Sequence, residues 1–144
     1  MVYFDSEPEG FNKKFEVTSL FLNHAGEILL LHRQDHKPQG NTWGVPAGKI
    51  EEGETPTKAI IRELSEETAI AIPENELVFL GKLYVQYPDL DFVYHMYGYT
   101  LEGERPEVVI DSTSHKAYKW IAPKDAMEMD LIEGLSDCIN AVYP

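Results

Sequence analysis

GKIEEGETPTKAIIRELSEETAI, residues 48–70, is a glycine-bearing loop running into an acidic helix. Thr55 is placed to cap the helix, and Pro56 falls at its first position, where a missing N–H costs nothing. Thr57, Ile60, Ile61, Leu64 and Thr68 then recur at helical spacing and form a narrow stripe to bury. Glu63, Glu66 and Glu67 stand at i, i+3 and i+4 beside that stripe and not within it. At about 100° per residue the three carboxylates span an arc of roughly 100°.

Such an arc is costly. Like charges at i and i+4 destabilise a helix by about 0.2–0.5 kcal/mol per pair, and anions in the C-terminal half oppose the helix dipole. Arg62 can pair with Glu66 one turn on, whereas Glu63 and Glu67 have no local cation. One reading is a solvated face in an acidic protein. The other is a site for a hard divalent cation, which takes oxygen ligands from a few carboxylates and from substrate phosphates.

The same stretch resembles the signature box of the Nudix (MutT-like) hydrolases. That pattern is Gly, five residues, Glu, seven residues, then Arg-Glu-apolar-x-Glu-Glu-x-Gly-apolar. Gly48, Glu54, Arg62, Glu63, Leu64, Glu66, Glu67 and Ile70 stand in register. Ala69 replaces the second glycine, which serves as a left-handed helix end, so this end is either strained or closed in another way. The box covers 23 of 144 residues and fixes many positions, so it is far more specific than a short glycine motif.

The resemblance implies hydrolysis of a pyrophosphate bond in a nucleoside diphosphate-linked small molecule, a nucleoside triphosphate among them. It also implies dependence on Mg²⁺ or Mn²⁺. Carried over by position, Glu63, Glu66 and Glu67 hold the metal, with the carbonyl of Gly48 as a further ligand. Glu63 is the first candidate for general base. Arg62 orients a box glutamate through a bidentate pair, and Glu54 supports it from behind. Many relatives carry an acid a few residues ahead of a tryptophan. In DSTSHKAYKW, ending at Trp120, Ser114 stands there instead, leaving Asp111 or His115 to substitute unless the box suffices; otherwise His115 is a solvated loop histidine. Arg33, Tyr84, Asp111 and His115 are the candidate substrate contacts. Tyr84, Tyr87, Phe92 and Tyr94 could stack on a base, although aromatics at strand spacing are more often core. The competing function is a non-catalytic nucleotide- or protein-binding module on the same fold. A diphosphate isomerase of similar fold would need a cysteine in its site.

Composition narrows the partners. The net charge of −13, from 25 acidic and 12 basic residues, argues against a nucleic acid polymer or an anionic membrane. It does not exclude a nucleotide whose phosphates a metal carries. The single cysteine, Cys138, allows no internal disulfide and suits a reducing, cytoplasmic setting; it reads as a small core residue. MVYFDSEPEG does not read as a signal peptide, and no apolar run is long enough to span a bilayer. Relatives include monomers and homodimers.

The remaining pattern is mixed. Residues 1–12 read as loosely ordered. Strands are expected over 15–22, 27–32, 77–86, 92–101 and 118–121, with a short extended piece over 43–47. Phe92 and Tyr94 face one way and Tyr97 and Tyr99 the other. Four consecutive apolar residues, Ile28 to Leu31, imply burial on both faces. A turn is expected over 87–91, and helices from Pro123 to about Met129 and over 131–142. The fold class is α/β with a mixed sheet covered by helices on both faces, forming one domain over 1–144. The resemblance implies the same α/β/α sandwich.

Overall fold

The computed structural model describes residues 2–4, 6–87 and 90–144. Strands β1 (Val2–Phe4), β2 (Lys13–His24), β3 (Glu27–Arg33), β4 (Trp43–Gly44) and β5 (Ala47–Lys49) precede helix α1 (Pro56–Thr68). A single 3₁₀ turn, Glu74–Glu76, leads to β6 (Val78–Tyr87), β7 (Leu90–Thr100) and β8 (His115–Ile121), then α2 (Pro123–Ala126) and α3 (Leu135–Val142). The strands join in the order β1-β6-β7-β2-β3-β4, with β5 on β2 and β8 on β3. Strands β2 and β7 run parallel, while the other named pairs are antiparallel. The sheet is therefore mixed.

Two apolar layers follow from strand alternation. Ile28 and Leu30 point into one cluster with Phe21, Leu83, Val85 and Met96, closed by Leu135 and Ile139 of α3. Leu29 and Leu31 point into the other, with Leu20, Leu22 and Tyr97, closed by Ile60 and Leu64 of α1. The four consecutive apolar residues of β3 are thus buried on both faces, as expected. Phe92 and Tyr94 join the first layer, Tyr97 and Tyr99 the second. Helices cover both faces, which is the α/β/α arrangement anticipated. No helix of the described residues is long and apolar enough to cross a membrane.

Helix α1 starts where its chemistry says it should. The Thr55 hydroxyl accepts from the Lys58 N–H at 3.2 Å, and Pro56 opens the first turn. Thr18 Oγ1 donates to the Pro56 carbonyl at 3.1 Å, tying the helix start to β2. The far end resolves the Ala69 departure: this alanine takes the left-handed conformation, φ 62° and ψ 18°, and its N–H donates to Ser65 O. Left-handed backbone costs a residue with a β-carbon about 1–2 kcal/mol, and a glycine would lose roughly half of that relief to unfolded-chain entropy. Ala69→Gly is therefore expected to stabilise the protein by about 0.5–1 kcal/mol, read from urea unfolding midpoints.

Several local expectations are corrected. Residues 1–12, read as loosely ordered, contain β1, which pairs with β6 from Val2↔Val85 to Phe4↔Leu83. Strand β8 begins at His115, not Tyr118, because pairing with β3 recruits three residues whose pattern alone is weak. Helix α2 stops at Ala126, short of Met129. The last helix starts at Leu135: Leu131 bridges to Trp43 instead, and Gly134 turns the chain at φ 87°. Of the turn expected over 87–91, Pro88 and Asp89 lie outside the described residues.

Candidate active site

Strand β5 and helix α1 face each other across the loop that joins them, and this places the box glutamates. Gly48 pairs with Thr18 at the edge of β2. A β-carbon added at Gly48 would fall on the Glu63 carboxyl group, so glycine here makes room for that carboxylate. Arg62 gathers the acids around it. It donates to Glu54 through Nε at 2.7 Å and Nη2 at 2.9 Å, a bidentate pair, and through Nη1 to Glu63 at 2.9 Å and Glu66 at 3.2 Å. Nη2 also donates to the Lys49 carbonyl at 3.2 Å, so the guanidinium stitches the loop to the helix. Glu63 therefore does have a cation beside it, contrary to the helical-spacing argument. Arg62 bends along the helix surface to reach its immediate neighbour as well as the residue one turn on.

The acids differ in environment. The hydrogen bonds from Arg62 and from the Glu51 N–H hold the Glu54 carboxyl down at about 2. Glu63 is shifted upward by burial, which outweighs its attraction to Arg62. Glu66 is 56% exposed. Glu67 is the most deeply placed: burial and the neighbouring Glu63 push its carboxyl up to about 8, although the Ala47 N–H donates to it at 3.1 Å. Two desolvated carboxyls with like charge and a backbone glycine make a hard-oxygen donor set that suits a divalent cation. Among the described residues, no three acidic, imidazole or thiol groups yet converge as a closed cation site; Arg62 holds Glu63 and Glu66 to itself.

A cavity of about 530 Å³ opens beside Gly48 and Glu67. Its walls are apolar, from Phe15, Val17, Leu83, Val85, Phe92 and Tyr94, and α3 closes it with Leu135 and Cys138. Phe15 and Phe92 stack with ring centres 5.0 Å apart, and the Lys49 ammonium lies 4.4 Å over Phe15. Its polar lining residues include Arg33, Gln39 and His115. Arg33 and His115 are cross-strand partners on β3 and β8. Arg33 Nε donates to the Pro38 carbonyl at 2.8 Å.

The substrate-contact candidates divide. Arg33 and His115 line the cavity, and so do Tyr87, Phe92 and Tyr94. Tyr84 does not: strand alternation turns it away from Leu83 and Val85, and it packs edge-on against Phe11 at 5.3 Å. Asp111 is not in the lining either. Its carboxylate accepts from Thr113 N at 3.0 Å and Thr113 Oγ1 at 2.7 Å, while its carbonyl accepts from the His115 N–H at 2.9 Å. It builds the turn that delivers His115 into β8. His115 is 6% exposed, not a solvated loop residue. Gln39, Phe15 and Gly134 were not anticipated in the cavity. Phe15 and Val17 share one face of β2, a period-2 signal that was there to be used; Gln39 and Gly134 carry none.

Burial pushes the His115 imidazole down to about 4 from 6.5, with Arg33 adding repulsion that Asp111 partly offsets. Between those values the unfolded chain binds the proton and the folded chain does not, so stability is lost as the pH falls. The contribution is complete above pH 6.5. Unfolding free energy is expected to drop by on the order of 1 kcal/mol between pH 7 and 5 for this group. Urea titrations of the wild type and of His115→Gln at both pH values check it; the variant should lose that part of the slope.

A mixed sheet between helices, a glycine that accommodates a carboxylate, and an acidic helix beside an apolar cavity define the frame of the site. The NUDIX domain family model matches residues 13–140, and the chain belongs to the NUDIX family. It is an enzyme of the Nudix hydrolase class. It is 26% identical over 119 residues to the CTP pyrophosphohydrolase of Escherichia coli K12, covering 83% of this chain and 84% of that one. It is 37% identical over 78 residues to the 8-oxo-dGTP diphosphatase of the same organism, covering 54% of this chain and 59% of that one. The crystal structure of a MutT NUDIX hydrolase from Burkholderia pseudomallei superposes with a TM-score of 0.76 at 24% identity, over 90% of this chain and 98% of that one.

Proposed function

We propose that the protein hydrolyses the pyrophosphate bond of a small nucleoside diphosphate-linked substrate, with a nucleoside triphosphate as the first candidate. The observation that carries this is the placement of two desolvated carboxyls about one strand edge: Glu67 lines an apolar cavity of about 530 Å³ together with Gly48, and Glu63 lies against Gly48. That volume suits a nucleoside better than a polymer. The net charge of −13 repels long nucleic acid in the same sense.

Glu63, Glu66, Glu67 and the Gly48 carbonyl would hold Mg²⁺ or Mn²⁺. Such an ion supplies positive charge that offsets the phosphate oxygens and makes a water easier to deprotonate. The residues of the chain do the rest. Glu63 accepts the proton of the attacking water at a carboxylate oxygen. The water oxygen bonds to phosphorus, the bridging P–O bond breaks, and the leaving phosphate carries away the electron pair. Arg62 keeps Glu63 positioned, and Glu54 keeps Arg62 positioned through its bidentate pair. The apolar walls exclude bulk water and strengthen every charge interaction at the reacting end.

The test is release of phosphate and pyrophosphate from a nucleotide panel, with Mg²⁺ or Mn²⁺ and with a chelator. Turnover of at least one substrate that the chelator stops is the expected result. Absence of turnover with either metal on every substrate would sink the hydrolase reading for that panel, and would favour a binding module on this fold.

A further inference from the structure

We infer that His115 is a substrate-binding residue whose Nε2–H donates to a phosphoryl oxygen of the bound nucleotide. The inference deepens the proposed function and rests on its reading of the cavity. Nδ1 of His115 is sealed from solvent and has no hydrogen-bond partner among the described residues. The residue nevertheless lines the cavity, so its other nitrogen, Nε2, is the ring atom left to meet a ligand. A neutral imidazole carries one proton. An orphaned donor is rarer in proteins than an under-satisfied acceptor, so the lone pair belongs on the sealed Nδ1 and the proton on Nε2. The tautomer that results presents a donor to the cavity.

The surroundings select the acceptor. Arg33 stands opposite His115 across the β3–β8 pair and lines the same cavity. Its Nε is committed to the Pro38 carbonyl, while its terminal nitrogens have no partner among the described residues. Lys37 and Arg33 act on His115 as cations, and Asp111 is the opposing anion. Arg33 also acts electrostatically on Glu67, which places the pair near the reacting end of the cavity. In a chain with only 12 basic residues against 25 acidic ones, a cation-flanked donor at that end fits an anionic oxygen better than an uncharged base edge.

The test reads the imidazole directly. In ¹H–¹³C spectra of the metal-free protein at pH 7, the His115 Cε1–Hε1 signal is assigned by its loss in His115→Gln. Titration with inorganic pyrophosphate is expected to move this signal saturably, and adenosine is expected to leave it still. Arg33→Ala should weaken the pyrophosphate response about tenfold, the effect of one charge-assisted bond. On the substrate that the panel identifies, His115→Phe should raise KM about tenfold with kcat within about threefold, and His115→Gln, whose amide reaches the Nε2 position, should restore most of it. A silent His115 signal, an equal response to adenosine, or an unchanged KM in His115→Phe overturns the inference. A responsive signal without turnover removes the hydrolase reading and leaves the phosphate contact standing; turnover with a silent signal does the reverse.

Discussion

Glu67→Gln is expected to lower turnover by at least about 100-fold while leaving the fold at least as stable as before. Glutamine has the size of glutamate, and its amide oxygen can still accept from the Ala47 N–H, which donates to Glu67 at 3.1 Å. What it lacks is charge. In the folded protein the carboxyl is buried and lies near Glu63, and both facts push it up to about 8. A group held against its own ionisation contributes nothing to stability that a neutral amide would lose. The fold therefore gives no reason for an acid here, and the proposed chemistry does. Removing groups that merely orient metal ligands commonly costs 10–100-fold, so in the proposed role of Glu67 as a ligand its loss should cost more. Melting temperature and turnover measured on one preparation settle it: turnover within tenfold of the wild type would show that Glu67 is not needed for the reaction.

Gly48→Ala should separate structure from chemistry still more sharply. The added methyl would fall on the Glu63 carboxyl. That carboxyl is the far end of a flexible side chain, so it can swing away at little cost to the fold. Gly48 has no left-handed backbone, and alanine in an extended strand restricts the unfolded chain, which offsets part of the disturbance by about 0.4–1 kcal/mol. Melting temperature is expected to shift by no more than about 3 °C. Turnover is expected to fall by about 100-fold or more, because Glu63 in its proposed role as base would be displaced, and a shift of even 1 Å costs a catalytic group about that much. An alanine variant with wild-type turnover would mean that Glu63 does not act from its place against Gly48.

Much of the site was legible before the fold was known. Thr55 and Pro56 set the helix start through contacts within one turn, and the arc of Glu63, Glu66 and Glu67 follows from helical pitch alone. The partnership of Glu54 with Arg62 was legible in kind, since both occupy box positions, but not its reach. Spacing assigned Arg62 to Glu66, whereas the folded loop brings Glu54, Glu63 and the Lys49 carbonyl to the same guanidinium. Ala69 was legible as a departure, and only the backbone shows that alanine simply adopts the left-handed turn.

Other features depended on pairing between distant residues. His115 read as a loop residue because its neighbours have no alternation, and its burial comes from β3 lying alongside. Tyr84 and Tyr94 are both strand tyrosines, yet one faces Phe11 and the other lines the cavity. What the sequence by itself determined was the identity and acidic face of helix α1, its caps, and the two-sided burial of β3. These depend on periodicity and on hydrogen bonds spanning a few residues. The tertiary structure alone decided the parallel union of β2 with β7, the docking of β1 on β6, and the cavity that Phe15, His115 and Leu135 share. Those contacts join residues as many as about 120 positions apart. Their closure depends on the summed packing of the whole core, which no local pattern records.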